Sequence, residues 1–250
     1  EAGLFGIEAL QVRAATATGA AALRMAYLAV ASGEAELAIA VGVEKMSQGA
    51  ATPALAKALD ARQEVAAGAT LISKNAELMQ RYMARYGMPE DGLANFAVNA
   101  HQNALTSPNA LFHKPISADD VLQSRFIVPP IRLLDCSPIC DGAAAVVLAP
   151  SQSARAFTDT PVQILASSVA TDRFRMADRR NPLALEAAAL SAQKAFQRAN
   201  LTAEDVSLYE VHDAFSIMAC LLLEAVGFAP PGHGWRLAAG KKAIGESLPA

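Results

Sequence analysis

The sequence is poor in charge. Only 18% of its residues are Asp, Glu, Lys or Arg, with 21 basic against 24 acidic side chains and a net charge of −3. A chain with a pI of about 5.8 carries no basic field of the kind nucleic acid needs, which excludes that partner class. So thinly charged a surface also fits partial cover by partner proteins. Cysteine is scarce: Cys136, Cys140 and Cys220 are an odd set, and no signal-peptide pattern opens the chain. Reduced thiols in a cytoplasmic protein are the expectation. No Cys/His pair at ligand spacing completes a metal site with Cys136 and Cys140, so no metal is expected. Long apolar runs are missing too, because Arg24 and Glu224 interrupt the longest, and no membrane span is expected. There is no low-complexity segment and no linker. The first residue is Glu1 rather than methionine and E-S-L-P runs into Ala250 without closing an element, as expected of an interior piece of a longer protein.

What the chain does have is apolar bulk: 53% hydrophobic residues over 250 positions, enough for one broad core or two smaller ones. The stretch from Val12 to Ser47 organises the reading. Small residues at Ala14 to Gly19 allow close backbone approach, Ala20 to Ala31 are helix formers on nearly every face, and Gly33 sits where a left-handed cap belongs. The pattern predicts a helix buried all round. Leu37 to Val43 is a short apolar run between charges, expected as a strand covered on both faces. Thr16 then lies just before a helix N-terminus, where free N–H groups and the helix dipole favour developing negative charge. That is where a nucleophile would sit, with an N-cap or turn hydroxyl as the plainer alternative and Thr18 an equal candidate for the cap.

Further on, Ala51 to Asp60, Ile72 to Tyr86 and Asp91 to Ala104 read as helices, the second ended by Gly87 and Pro89. A polar segment, Leu105 to Pro115, leads to S-A-D-D, where Ser117 and Asp120 form a capping box. Pro129 and Pro130 precede I-R-L-L-D-C-S-P-I-C-D-G, in which Asp141-Gly142 is a turn and Ala143 to Ala149 a buried strand. Val162 to Ala170 and Val206 to Val211 read as strands, Asn181-Pro182 as a helix start and Phe215 to Val226 as a helix closed by Gly227. Strand and helix alternating in this order predict parallel pairing.

His212 is the strongest functional candidate, because it follows a strand and precedes a helix, the place where α/β folds put their sites. Asp213 would orient its ring or cap the helix, and Phe215 is read as core. His101 is read as an ordinary helix position and His233 as a loop histidine with no role. His113 and Lys114 are cationic donors that suit phosphate, with a solvated loop as the alternative. Ser137 is balanced between a ligand contact and a turn serine bonded to its own backbone.

Several of these segments resemble one family. V-G-V-E-K-M-S, R-Y-M-A-R-Y-G, V-N-A-H-Q-N-A, D-C-S-P-I-C-D-G-A-A-A-V-V-L and E-V-H-D-A-F are similar, in that order, to segments of the thiolase superfamily, in particular the sterol-carrier-protein-X type and its archaeal and bacterial relatives. The resemblance implies an α/β, thiolase-like fold of two β-α-β-α-β halves with a helical loop domain inserted. Residues 1–48 and 129–160 would belong to the N-terminal half, 49–128 to the loop domain that covers the coenzyme A tail, and 161–250 to the start of the C-terminal half. It implies acyl transfer, or carbon–carbon bond formation and cleavage, on acyl-CoA thioesters, with no cofactor beyond the coenzyme A of the substrate.

By the same resemblance Thr16 falls on the nucleophilic cysteine, His212 helps stabilise an enolate oxygen, Ser137 meets the pantetheine arm, and His212 and Thr16 share the base of one pocket. The family's Gly-His-Pro and Cys-x-Gly motifs lie beyond Ala250. A homodimer or larger assembly through the face of the strand Leu37 to Val43 is implied, with a small OB-fold/zinc-ribbon protein as a further partner. Two alternatives go with Thr16: an aldolase-like carbon–carbon lyase, against which His212 speaks because those relatives use tyrosines, and a catalytically silent CoA-binding or assembly subunit.

Overall fold

A computed structural model describes residue 3 and residues 5–239. Its main elements, in chain order, are α1 (Thr18–Ala31), β1 (Ala38–Glu44), α2 (Ala51–Leu55), α3 (Leu71–Tyr86), α4 (Ala94–Ala104), α5 (Ala118–Gln123), β2 (Phe126–Val128), β3 (Ile131–Arg132), β4 (Gly142–Leu148), α6 (Glu186–Ala199), α7 (Ser216–Val226) and α8 (Gly234–Ala239). They fall into two compact units, one formed by residues 1–49 with 141–167 and the other by 50–140 with 168–250.

The first unit is a helix on a two-stranded ribbon. β1 and β4 pair antiparallel without a bulge from Ala38↔Leu148 to Glu44↔Gly142. One face of the ribbon, with Ala38, Ala40 and Leu148, packs against Leu23, Ala26, Tyr27 and Val30 of α1 and against Ile164. Alternation along the strand sends Ile39, Val41 and Val43 to the other face, where Val41 is 57% and Val43 74% exposed. The sequence predicts strands covered on both faces and a helix buried all round. Instead β4 is buried only at Leu148 and α1 only at Ala26. The reason is layer count: among the described residues the unit has one helix and two strands, enough to cover one face.

The second unit is mostly helical, and its core is built on α7, which buries Ile217, Ala219, Cys220, Leu221 and Leu223. Against it lie Ala76, Leu78, Met79 and Tyr82 of α3, together with Leu93 and Ile131. α3 is held at both ends by local chemistry. Thr70 and Ser73 exchange capping-box hydrogen bonds at its start, and Gly87 closes it at φ 64°. The predicted capping box of α5 forms as well, Ser117 with Asp120. Burial pushes the Tyr82 phenol far above its ordinary pKa, and it donates a hydrogen bond to Glu224. The same carboxylate accepts from the Gly234 N–H at 2.8 Å. Gly234 is required there, since a Cβ would stand 2.5 Å from the Cys220 carbonyl oxygen.

Several expected elements differ. Residues 162–170 and 206–211 form no ladder, and both sheets are antiparallel pairs rather than parallel ones. A strand exists only with a hydrogen-bonded neighbour, and among the described residues these segments have none; Val162 is 93% and Leu208 82% exposed. Asn181 accepts a bond from Leu183 N at 3.2 Å and so caps a turn. Leu185, at φ 44°, separates that turn from α6. Ala51 to Asp60 splits into α2 and a 3₁₀ turn, and α4 starts only at Ala94. No helix of the described residues is long and apolar enough to cross a membrane.

This packing makes α7 the most sensitive element of the second unit. Leu221 is fully buried, so Leu221→Ala should cost about 3 kcal/mol by transfer and cavity terms, measured as a shift of the urea midpoint with an unchanged m-value.

Candidate functional site

The second unit brings two distant motifs together. The D-C-S-P segment ends β3 and its following turn, and the E-V-H-D-A-F segment leads into α7. Cys136 and Phe215 form an antiparallel bridge, and the Ser137 N–H donates to the Ala214 carbonyl at 3.1 Å. Ser137 therefore stands across from the turn that carries His212 and Asp213. All three side chains are exposed. Among the described residues, neither His212 nor Asp213 has a side-chain hydrogen-bond partner. Asp213 does not cap α7: the cap position is Phe215, with no side-chain hydrogen bond to the helix. The first N–H groups of α7 lie just beyond His212, at the end of the helix where the dipole favours negative charge.

Beneath this junction sits a carboxylate. Asp135 is 6% exposed, and it accepts from Arg132 N at 3.0 Å. Burial pushes its carboxyl above the usual carboxylate range, and the Arg132 N–H, the Ser216 side chain and the Arg132 charge oppose the rise. Arg132 is itself held by Glu90 at 2.7 Å, by the Ser124 carbonyl at 3.1 Å and by the face of Phe126 at 3.8 Å. Burial and then the Asp135 charge push the neighbouring Cys136 thiol up to about 11. Burial raises Cys220 to about 12. Neither thiol is ionised enough near neutral pH to attack a thioester.

Thr16 belongs to the first unit. It is exposed, in a tight turn in which Ala15 takes φ 47° and Ala17 N bonds to Ala14 O at 3.0 Å. The turn is fastened by Thr18, whose hydroxyl accepts from Ala14 N at 2.9 Å and donates to Ala15 O at 2.7 Å. Ala17 is the cap position of α1 and no side chain caps it, so the Thr16 hydroxyl is not the cap. The Thr16 side chain is left without a structural bond among the described residues, one residue ahead of the helix N-terminus.

Elsewhere the placements are looser. His113 and Lys114 lie exposed in the loop after α4, with His113 Nε2 bonded to the Ala110 carbonyl at 2.9 Å. His101, read from sequence as an ordinary helix position, fastens this loop. Its Nδ1 donates to the Lys114 carbonyl at 2.9 Å and its ring stacks on Phe112. His233 is exposed in the turn before α8. Sequence reasoning also missed a bond between two of the quoted motifs: Asp141 of the D-G turn accepts from the Ser47 N–H at 2.9 Å and from its hydroxyl at 2.5 Å. These bonds hold the Asp141 carboxyl below its usual range. The Asp-Gly signal names the turn and carries no trace of a partner so far away in the chain. Among the described residues no three His, Cys, Asp or Glu side chains cluster to hold a metal.

Comparison with known proteins bears on the same segments. The family described as "Thiolase, N-terminal domain" matches residues 1–152, and "Thiolase C-terminal domain-like" matches residues 168–250. An acetyl-CoA acetyltransferase of Methanothermobacter thermautotrophicus is 44% identical over 94% of this chain, which spans 62% of that relative's length. Sterol carrier protein 2 of Oryctolagus cuniculus is 29% identical over 94% of the chain and 46% of its own length. Among solved structures, the Ltp2-ChsH2(DUF35) aldolase superposes with a TM-score of 0.78 at 25% identity, covering 88% of this chain and 60% of that one. Motifs that resemble one family in sequence order, an α/β fold shared with its structures and matches to both of its domain types lead to one conclusion: this chain belongs to the thiolase family.

Proposed function

We propose that the chain is the central part of an enzyme that transfers acyl groups on acyl-CoA thioesters, by Claisen-type carbon–carbon bond formation or cleavage. The observation that carries this reading is the junction of Ser137 with the His212 turn, held by the Ser137–Ala214 hydrogen bond. A serine paired through its backbone with the turn that carries a histidine, both side chains exposed ahead of a helix, suits a thioester: the serine can hydrogen-bond the pantetheine arm while the imidazole, directly or through a water, donates to the oxygen on which enolate charge develops. The acetyl-CoA acetyltransferase similarity supports the same substrate class. His113 and Lys114, on the loop fastened by His101, would meet the coenzyme's phosphates, and residues 49–128 would cover its tail. The exposed outer face of β1, Ile39, Val41 and Val43, supports assembly into a homodimer or larger.

Thr16 governs the chemistry. An alcohol has almost no anion near neutral pH without a base, so Thr16 at the cysteine position is a poor nucleophile. The likeness to the Ltp2-ChsH2(DUF35) aldolase therefore favours a second reading, an aldolase-like cleavage of acyl-CoA side chains that forms no acyl-enzyme and works with a small partner of the DUF35 kind. A CoA-binding subunit without turnover is the limiting case of the same substitution.

Three outcomes follow. The full protein incubated with acetyl-CoA should show no acetyl adduct by intact-mass spectrometry, and Thr16→Cys should show one; an adduct on wild-type Thr16, released as acetoacetyl-CoA by further substrate, would make the hydroxyl a working nucleophile. Iodoacetamide at pH 7.5 should label exposed Cys140 well before Cys136 or Cys220, because burial shields both of those thiols and holds them up at about 11 and about 12. In sedimentation the full protein should run as a dimer or larger at micromolar concentration, and a monomer would count against the assembly.

A further inference from the structure

Helix α4 is apolar along one face. Ala94 and Ala97 are buried with Val121 of α5, and Val98 and Ile116 pack against that cluster. His101 comes three residues after Val98 and four after Ala97, so helical periodicity puts it on the same face, one turn further along. There the stripe turns polar, and the loop that returns toward α5 runs past it.

Two contacts of His101 hold that loop. Its Nδ1 lies 2.9 Å from the Lys114 carbonyl oxygen, and a carbonyl only accepts, so Nδ1 carries the hydrogen. Its ring stacks on Phe112, with centroids 5.7 Å apart and planes 8° from parallel. Lys114 is thereby fixed through its own backbone. Phe112, two residues before it, and Ile116, two residues after it, are held as well, and the capping box takes over where Ser117 N donates to Asp120 at 2.8 Å.

His113 makes a different kind of contact. Its Nε2 bonds to the Ala110 carbonyl at 2.9 Å, inside the loop, so it shapes the loop without attaching it to the helix. Among the described residues, the His101 bond is the one side-chain hydrogen bond between residues 110–116 and α4.

We infer that His101 is a positioning residue for the coenzyme end of the acyl-CoA site: by gripping the Lys114 carbonyl and the Phe112 ring, it holds the donors of His113 and Lys114 in one place for the phosphates. The inference rests on the reading of that pair given above. A loop must be ordered before two exposed side chains can meet one phosphate group together, and the latch orders it before the ligand arrives. It serves the phosphate-bearing end alone, so a thioester without phosphates gains nothing from it.

The experiment compares His101→Ala, His101→Phe and His101→Asn in the full protein. The readouts are affinity for acetyl-CoA and for S-acetylpantetheine by calorimetry, and the rate of limited chymotryptic cleavage after Phe112. Position 101 lies in the last turn of α4, where alanine favours the helix, so His101→Ala should fold. It should be cleaved about tenfold faster and bind acetyl-CoA about tenfold more weakly, with S-acetylpantetheine affinity unchanged, because the ligand must then order the loop itself. His101→Phe keeps a ring for Phe112 but has no donor, and should show most of that loss. In His101→Asn the amide nitrogen can take the place of Nδ1, which should bring both readouts to within about threefold of wild type.

Wild-type acetyl-CoA affinity in His101→Ala overturns the inference. So does an equal loss for S-acetylpantetheine, an unchanged cleavage rate, or an asparagine no better than alanine. Lys114→Ala and His113→Ala separate the two levels. If neither weakens acetyl-CoA binding, the phosphate reading fails and takes the inference with it; if either does while His101→Ala does not, the latch alone fails.

Discussion

Helix α7 offers water almost no side chain it would want to solvate, and this constraint sets the second unit. With Ile217, Ala219, Cys220, Leu221 and Leu223 buried on nearly all sides, the helix cannot rotate or slide without exposing apolar surface worth about 25 cal/mol per Å². Its neighbours are adapted to it. α3 supplies Leu78, Met79 and Tyr82, and the turn before α8 comes so close that only glycine fits at position 234. An element this constrained is a good reference point for chemistry. A side chain three or four residues ahead of its first turn inherits a defined position from the core, while itself remaining open to solvent.

The first unit follows a different logic. Its ribbon is complete as a pair of strands and incomplete as a layer, because α1 covers one face and the other presents β-branched side chains. That arrangement stabilises the local register, every pair from Ala38↔Leu148 to Glu44↔Gly142 being in step, while leaving a large part of the apolar surface to be buried by something else. The Thr16 turn stands at the open end of the helix in this unit, fastened by the neighbouring Thr18. The threonine that closes the turn, Thr18, and the threonine whose hydroxyl has no bond among the described residues, Thr16, are therefore different residues with separable effects.

Some local signals in the sequence hold, while the caps read at Thr16 or Thr18, at Asn181 and at Asp213 do not form on their helices. Gly87 and Gly227 end their helices with positive φ as their positions suggest, and the Ser117/Asp120 box forms, because a cap is decided within four residues. Elements decided by distant partners were not legible in the same way. Residues 162–170 and 206–211 have the composition of strands, but a ladder belongs to two segments at once, and one sequence window holds only one of them. The candidate site divides along the same line. The His212 turn was visible from the helix that follows it and from its likeness to a family motif. The Ser137–Ala214 bond and the His101 latch were not, since each joins residues that only the folded chain brings together.

The Ser47–Asp141 bond has a consequence for how this architecture can change. It joins positions 94 residues apart, at the end of the ribbon where β1 leaves and β4 returns, so everything from residue 50 to residue 140 departs from and comes back to one stitched point. The entropy of closing such an excursion depends only weakly on its length, about 0.6 kcal/mol for each doubling. A change of length in one of the surface loops of that excursion would therefore cost its closure little, and the ribbon's register is set by its own pairing and by this bond rather than by how many residues lie between.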